Sequence, residues 1–113
     1  MTDQADTLAR TLASYRQTPG MVAALLVSRD GFVIAADADP GFDVAAFAAQ
    51  AGGVISYVAA LGAELGEQSA KYVSVEFEGV TMVLAPFGDE LLLALLGHPS
   101  ALVCQYRLND TVA

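Results

Sequence analysis

The 113-residue sequence has no tryptophan, one cysteine, one histidine and five lysines and arginines together, and each scarcity excludes a chemistry. A single thiol, Cys104, can form neither an internal disulfide nor a cysteine zinc cluster, which fits a reducing compartment. A hydrolytic triad needs an imidazole, and the only one is His98, placed before Pro99 at an expected helix start, where it reads as a cap or loop residue. Five basic against thirteen acidic residues leave a net charge of -8. That is the opposite of the surface a phosphate-backbone binder presents, so no nucleic-acid partner is expected. Neither GxGxxG nor GxxxxGK[ST] occurs, and no phosphate-cradling loop is visible.

The remaining polar residues do not assemble into a site. Asp37-x-Asp39 comes nearest to a metal-ligand spacing but lacks the glycine and glutamate of a calcium loop. Glu76 and Glu78 share a strand face, as an acid and base pair would, and equally as a solvated sheet edge does. Cys104 sits beside Val103 on the apolar side of an expected last helix, the setting of an inert packing thiol. No enzyme activity, cofactor or metal is expected.

Apolar residues, in contrast, make up 55% of the chain, ample for one core over residues 1–113. The amino end, Met-Thr-Asp-Gln-Ala-Asp, carries acids where a signal peptide needs positive charge, so a cytoplasmic location is expected. Residues 44–63 are uncharged over a bilayer-spanning length. Most of them are Ala or Gly, no Lys or Arg anchors either end, and Asp43 and Glu64 flank the run, so it reads as a helix buried on more than one side of a soluble assembly, without membrane insertion.

Periodicity and turn signals predict the order α-β-β-α-β-β-β-α. A helix capped at Thr2 or Asp3 runs to about Gln17, with Leu8, Leu12 and Tyr15 on one stripe, and Pro19-Gly20 ends it. Met21 to Ser28 and Phe32 to Ala36 form a hairpin across Asp30-Gly31, expected as a type I′ turn. Asp43 caps a second helix that ends near Leu65-Gly66, with Phe42 stapled on Phe47. Lys71 to Glu78 alternates, sending Val73, Val75 and Phe77 one way and Tyr72, Ser74, Glu76 and Glu78 the other. Val80 to Ala85 is a strand stopped by Pro86, Gly88-Asp89-Glu90 turns, and Leu91 to Leu96 is the last strand. Pro99 opens a final helix over about Ser100 to Asn109, with Leu102, Val103 and Tyr106 inward.

The second helix is the informative element. Val44, Phe47, Ile55, Val58 and Leu61 fall on one face, expected to meet the sheet. The opposite face carries Ala46, Ala49, Gly53, Ser56, Tyr57 and Ala60, uncharged over roughly 30 Å, like the seam of a close helix pair. This predicts a two-fold homodimer, with the edge strand 71–78 contributing Tyr72, Ser74 and Glu76.

The opening helix with Pro19-Gly20, the strand ending Ser28-Arg29-Asp30-Gly31-Phe32-Val33-Ile34-Ala35, the small-residue helix, Val73-x-Val75-Glu76-Phe77-x-Gly79, and Val83 to Asp89 leading into LLLALL resemble, in order and spacing, the roadblock (dynein light chain, MglB-type) domain. The resemblance implies an α+β, profilin-like fold: a five-stranded antiparallel sheet with helices on both faces. It also implies homodimers whose central helices pack side by side while sheets join at an edge. Family members act as non-enzymatic regulators or scaffolds for Ras-like small GTPases, so such a GTPase is the partner the resemblance implies. Where GTPase activation uses an arginine in trans, Arg29 in the hairpin turn is the most exposed candidate, its simpler role being to solvate that turn. Two rival readings are a scaffold without a GTPase and a PAS-like small-molecule sensor; the latter needs convergent polar groups in a pocket, and the polar residues here fall mostly in turns and on an outer strand face.

Overall fold

Met21 to Ser28 is an apolar run of the kind a strand covered on both faces requires, and the whole architecture is built around it. The computed structural model describes residues 2–67 and 70–99. They form α1 (Thr2–Arg16), β1 (Met21–Ser28), β2 (Val33–Ala38), α2 (Val44–Glu64), β3 (Val73–Glu76), β4 (Thr81–Phe87) and β5 (Leu91–Gly97). The expected last helix and Cys104 lie outside the described residues. The strands form one antiparallel sheet in the order β2-β1-β5-β4-β3, so β1 is interior and β2 and β3 are the two edges.

Alternation along the strands divides the core into two layers. On one face Leu12 of α1 packs with Met21, Ala24, Leu26, Leu93 and Leu95, and Leu8 and Tyr15 flank it. On the other, Ala48 and Ala51 of α2 meet Ala23, Leu25, Val27, Met82, Leu84, Ala94 and Leu96. The expected sheet with helices on both faces is the fold observed, with α1 and α2 on opposite sides.

Local chemistry explains the departures from the sequence expectations. The β1–β2 connection is not a type I′ turn, because neither Arg29 nor Asp30 has a positive φ and only Gly31 in the loop does. Gly31 N–H donates to Ser28 O at 2.9 Å, Ser28 N–H donates to Phe32 O at 2.8 Å, and Gly31 has φ 92°. This is a three-residue loop of a turn followed by a left-handed glycine, so β2 begins at Val33, one residue later than expected. Pro86 does not stop β4; it is paired with Leu92 inside the strand. β3 pairs with β4 only from Thr81 to Leu84, so Pro86 lies where β4 is itself an edge and its missing N–H breaks no ladder. Phe77 falls beyond β3 and is 56% exposed, its N–H donating to Val80 O to close the β3–β4 turn. The expected edge strand 71–78 is thereby reduced to Val73–Glu76.

Candidate interaction surfaces

α2 starts where the sequence places it. The Asp43 carboxylate accepts from Ala46 N–H at 3.0 Å, and the Phe42 and Phe47 rings lie 5.6 Å apart, forming the expected staple across the first turn. At the other end Glu67 N–H donates to Gly62 O and Gly66 N–H to Ala63 O, with Gly66 at φ 74°. That pair of bonds is the Schellman arrangement, and it satisfies two carbonyls the helix end would otherwise leave open.

The face of α2 turned to the sheet differs from the expectation. Its fully buried residues are the small ones, Ala48, Ala51 and Gly52, while Val44, Phe47, Val54 and Ile55 are half-buried around them. The reason is a close approach between the helix and the β1–β2 turn. A Cβ on Gly52 would lie 2.9 Å from Gly31 Cα, and one on Gly31 would lie 3.1 Å from Ala49 Cα. Large side chains at the contact would hold the two backbones apart, so they are displaced to its flanks. Leu61, expected against the sheet, is instead 62% exposed. All fully buried positions of α2 lie in its first half, and Leu61 belongs to the second.

The outer face of α2 is solvent-facing and uncharged in this chain. Ala46, Ala49, Gly53, Ser56 and Ala60 are exposed, and Tyr57 is 83% exposed. Leu61 and Leu65, the latter 71% exposed, extend the stripe in steps of four from Tyr57. Neither leucine is in the expected outer face, where Leu61 is assigned to the sheet and Leu65 to the helix end, although both stand at four-residue steps from Tyr57. α2 is long and apolar enough to cross a membrane by length and composition, and little of it is buried within the chain. Large apolar area left outward on this scale is a recurrent mark of a covered surface.

The expected edge residues do not share that surface. Val73 and Val75 pack in the α2-side layer, so alternation turns the side chains of Ser74 and Glu76 to the sheet face opposite α2. Tyr72, just before the strand, is 44% exposed. What β3 offers an α2-centred contact is its edge backbone. Phe77 pairs with Val80, so in the same register Val75 and Val73 bond to β4, and the N–H and C=O groups of Ser74 and Glu76 point outward.

Two of the arginines, Arg16 and Arg29, are committed to structure. Arg16, at the end of α1, places Nη2 2.7 Å from Asp39 Oδ1 and Nε 3.2 Å from Asp37 Oδ1, and Nη1 donates to Met21 O at 2.8 Å. Its pKa is raised, chiefly by the hydrogen bond to Asp39, with burial opposing and Asp37 adding. Asp37-x-Asp39 therefore clamps a guanidinium that locks α1 to β2. No group of three or more potential ligands gathers among the described residues. Arg29 Nε donates to Asp89 O at 3.1 Å, tying the β1–β2 turn to the β4–β5 turn. His98 N–H donates to Gly20 O at 2.9 Å where β5 ends.

Comparisons with known proteins agree with this architecture. MglB, a gliding protein of Thermus thermophilus, superposes with a TM-score of 0.78 at 23% identity, over 90% of this chain and 78% of that one. An MglB structure described as a tetrameric arrangement gives 0.79 at 21% identity, over 96% and 81%. A Roadblock/LC7 domain from Streptomyces avermitilis gives 0.71 at 24% identity, over 77% and 74%. No curated protein sequence matches the chain. Residues 7–97 match the family model of the Roadblock/LC7 domain, and the chain is a member of that family.

Proposed function

We propose that the protein is a non-enzymatic, cytoplasmic homodimer that binds a Ras-like small GTPase and tunes its nucleotide cycle. The observation that carries the dimer is the outer face of α2: Tyr57, Leu61 and Leu65 stand exposed on a helix face without a charge from Val44 to Ala63. The two halves of that face are complementary. Small residues, Ala46, Ala49 and Gly53, occupy the first half, and the large Tyr57 and Leu61 stand in the second beside Ala60. A two-fold axis crossing near Gly53 sets two copies of α2 antiparallel, so Tyr57 of each fills the space above Ala49 of the other. Ser74 and Glu76 contribute through their outward backbone groups, and Tyr72 lies beside them.

The GTPase partner is supported by membership of a family whose known members regulate or scaffold such enzymes, and the MglB neighbours support the shape. The mode of action follows from the arginines. Arg16 is held by two carboxylates and Arg29 by the neighbouring turn, so neither is poised to be inserted beside a nucleotide. With Arg29, the turn arginine, tied to structure, we propose that any effect on turnover works by ordering the GTPase's own switch segments. The test is single-turnover GTP hydrolysis by the small GTPases of the same organism, with and without this protein. A change in rate with one of them supports the reading. If none binds in either nucleotide state, a scaffold without a GTPase replaces it.

A further inference from the structure

The sheet has a second edge that the α2-centred dimer leaves open. β2 is paired on one side only, with β1. Asp39 N–H donates to Val22 O at 2.9 Å, and the same register runs through Asp37 opposite Ala24 and Ala35 opposite Leu26. Those residues bond inward, so the backbone groups of Ala36 and Ala38 point away from the sheet. At Ile34 the register slips: Val27 faces Val33, Leu26 faces Ala35, and Ile34 is the extra residue. Such a bulge re-aims a side chain, and Ile34 is left 48% exposed. Phe32, next to it at the start of the edge, is 69% exposed.

Natural edges are commonly blunted by lysine, proline, other charges or a bulge; here the bulge lies at the Ile34 end and leaves Ala36 and Ala38 in regular register, and the charges are acidic. β2 has no lysine or proline, and it carries Asp37 near its end with Asp30 and Asp39 flanking it. Asp30 is exposed in the turn, and the Asp37 and Asp39 side chains are 40% and 52% exposed despite holding Arg16. We infer that β2 is a strand-addition site for an extended segment of a partner protein carrying alternating apolar and basic residues. Ladder bonds form to Ala36 and Ala38, apolar side chains rest on Phe32 and Ile34, and lysines or arginines meet Asp30, Asp37 and Asp39. This goes beyond the GTPase reading and does not depend on it.

The probe is a short fluorescein-labelled peptide alternating valine and lysine, followed by anisotropy and by amide hydrogen exchange read residue by residue. A valine–glutamate peptide of the same length is the control. Binding of the lysine peptide should slow exchange at Ala36 and Ala38 by about tenfold or more, since solvent-facing amides become ladder amides. Phe32→Ser and Ile34→Thr, both at exposed positions, should weaken binding with unchanged circular dichroism. Ala60→Glu, aimed at the dimer face, should leave peptide binding unchanged, which separates failure of this inference from failure of the dimer. Three results overturn it: no slowing at Ala36 and Ala38 with saturating peptide, equal slowing by the glutamate peptide, or slowing that rises with protein concentration alone, which would assign the edge to a second copy.

Discussion

Gly52 and Gly53 are adjacent in α2, yet replacing each by alanine should move stability in opposite directions. Alanine in a helix interior is favoured over glycine by about 1 kcal/mol, so propensity alone stabilises both variants. At Gly53 a Cβ meets nothing within 4 Å, and the gain stands. At Gly52 the new Cβ would sit 2.9 Å from Gly31 Cα and 3.0 Å from Gly31 N. Those are backbone atoms of a turn held by its own hydrogen bonds and cannot rotate aside, so an overpacking cost of about 1–3 kcal/mol applies, toward its upper end. The net is a loss of about 1–2 kcal/mol at Gly52 against a gain of up to about 1 kcal/mol at Gly53. In a chain of this size the gap should separate the melting midpoints by roughly 10 °C. Thermal and urea unfolding read the Gly52 change directly, and the Gly53 gain is read in the Ala60→Glu background, where the proposed helix seam is broken. If Gly52→Ala unfolds at or above the wild-type midpoint, helix and turn are not in the contact described, and the account of the small buried face is wrong.

Further expectations concern single side chains. Asp43→Ala removes the cap on Ala46 N–H and should cost about 1 kcal/mol, seen as a lower urea midpoint with unchanged slope. Arg16→Met cuts α1 from β2 and should cost about 1–2 kcal/mol, a figure discounted because Asp37 and Asp39 are partly solvated. The raised pKa of Arg16 means its ion-pairing is fully present at neutral pH and is lost on the basic side only as pH passes that raised value; unfolding midpoints between about pH 7 and 9 should show no loss from this group. Arg29→Ala should change any stimulated GTP turnover by less than about threefold, against the roughly 10³ or more expected for an arginine acting on the nucleotide.

Much of this architecture is legible in the sequence where local chemistry and burial agree. Asp43, the Phe42–Phe47 pair and Gly66 bound α2 because caps, staple and left-handed glycine are short-range effects. β1 announces itself through an unbroken apolar run that both core layers use. What the sequence does not reveal depends on contacts between distant segments. Asp30-Gly31 suits several hairpin turns, and the choice among them is tied to Gly31 lying under Gly52, far along the chain. Pro86 is tolerated because β3 is short, which no local signal at Pro86 records. For the candidate site, the exposure of Ala46, Ala49, Gly53, Ser56, Tyr57 and Ala60 matches the expected outer face, since three- and four-residue spacing fixes which residues share a side. Periodicity cannot say which stripe is closest to the sheet, and so it places Leu61 inward. Nor can it show that the side chains of Ser74 and Glu76 turn away from α2, because that depends on which layer receives Val73 and Val75.

Self-association through α2 is read most directly as the solution mass by multi-angle light scattering, for the wild type and for Ala60→Glu, over a low to high micromolar range. The expected wild-type mass is twice the 11.7 kDa of the chain. Ala60→Glu, which would bury an unpaired carboxylate in the helix seam, should shift the mass to that of one chain or aggregate. Gly53→Glu should do the same from the centre of the seam. A wild type that stays a single chain at high micromolar concentration, or a dimer that both glutamates leave intact, would contradict the assignment of the outer face of α2 to a second copy.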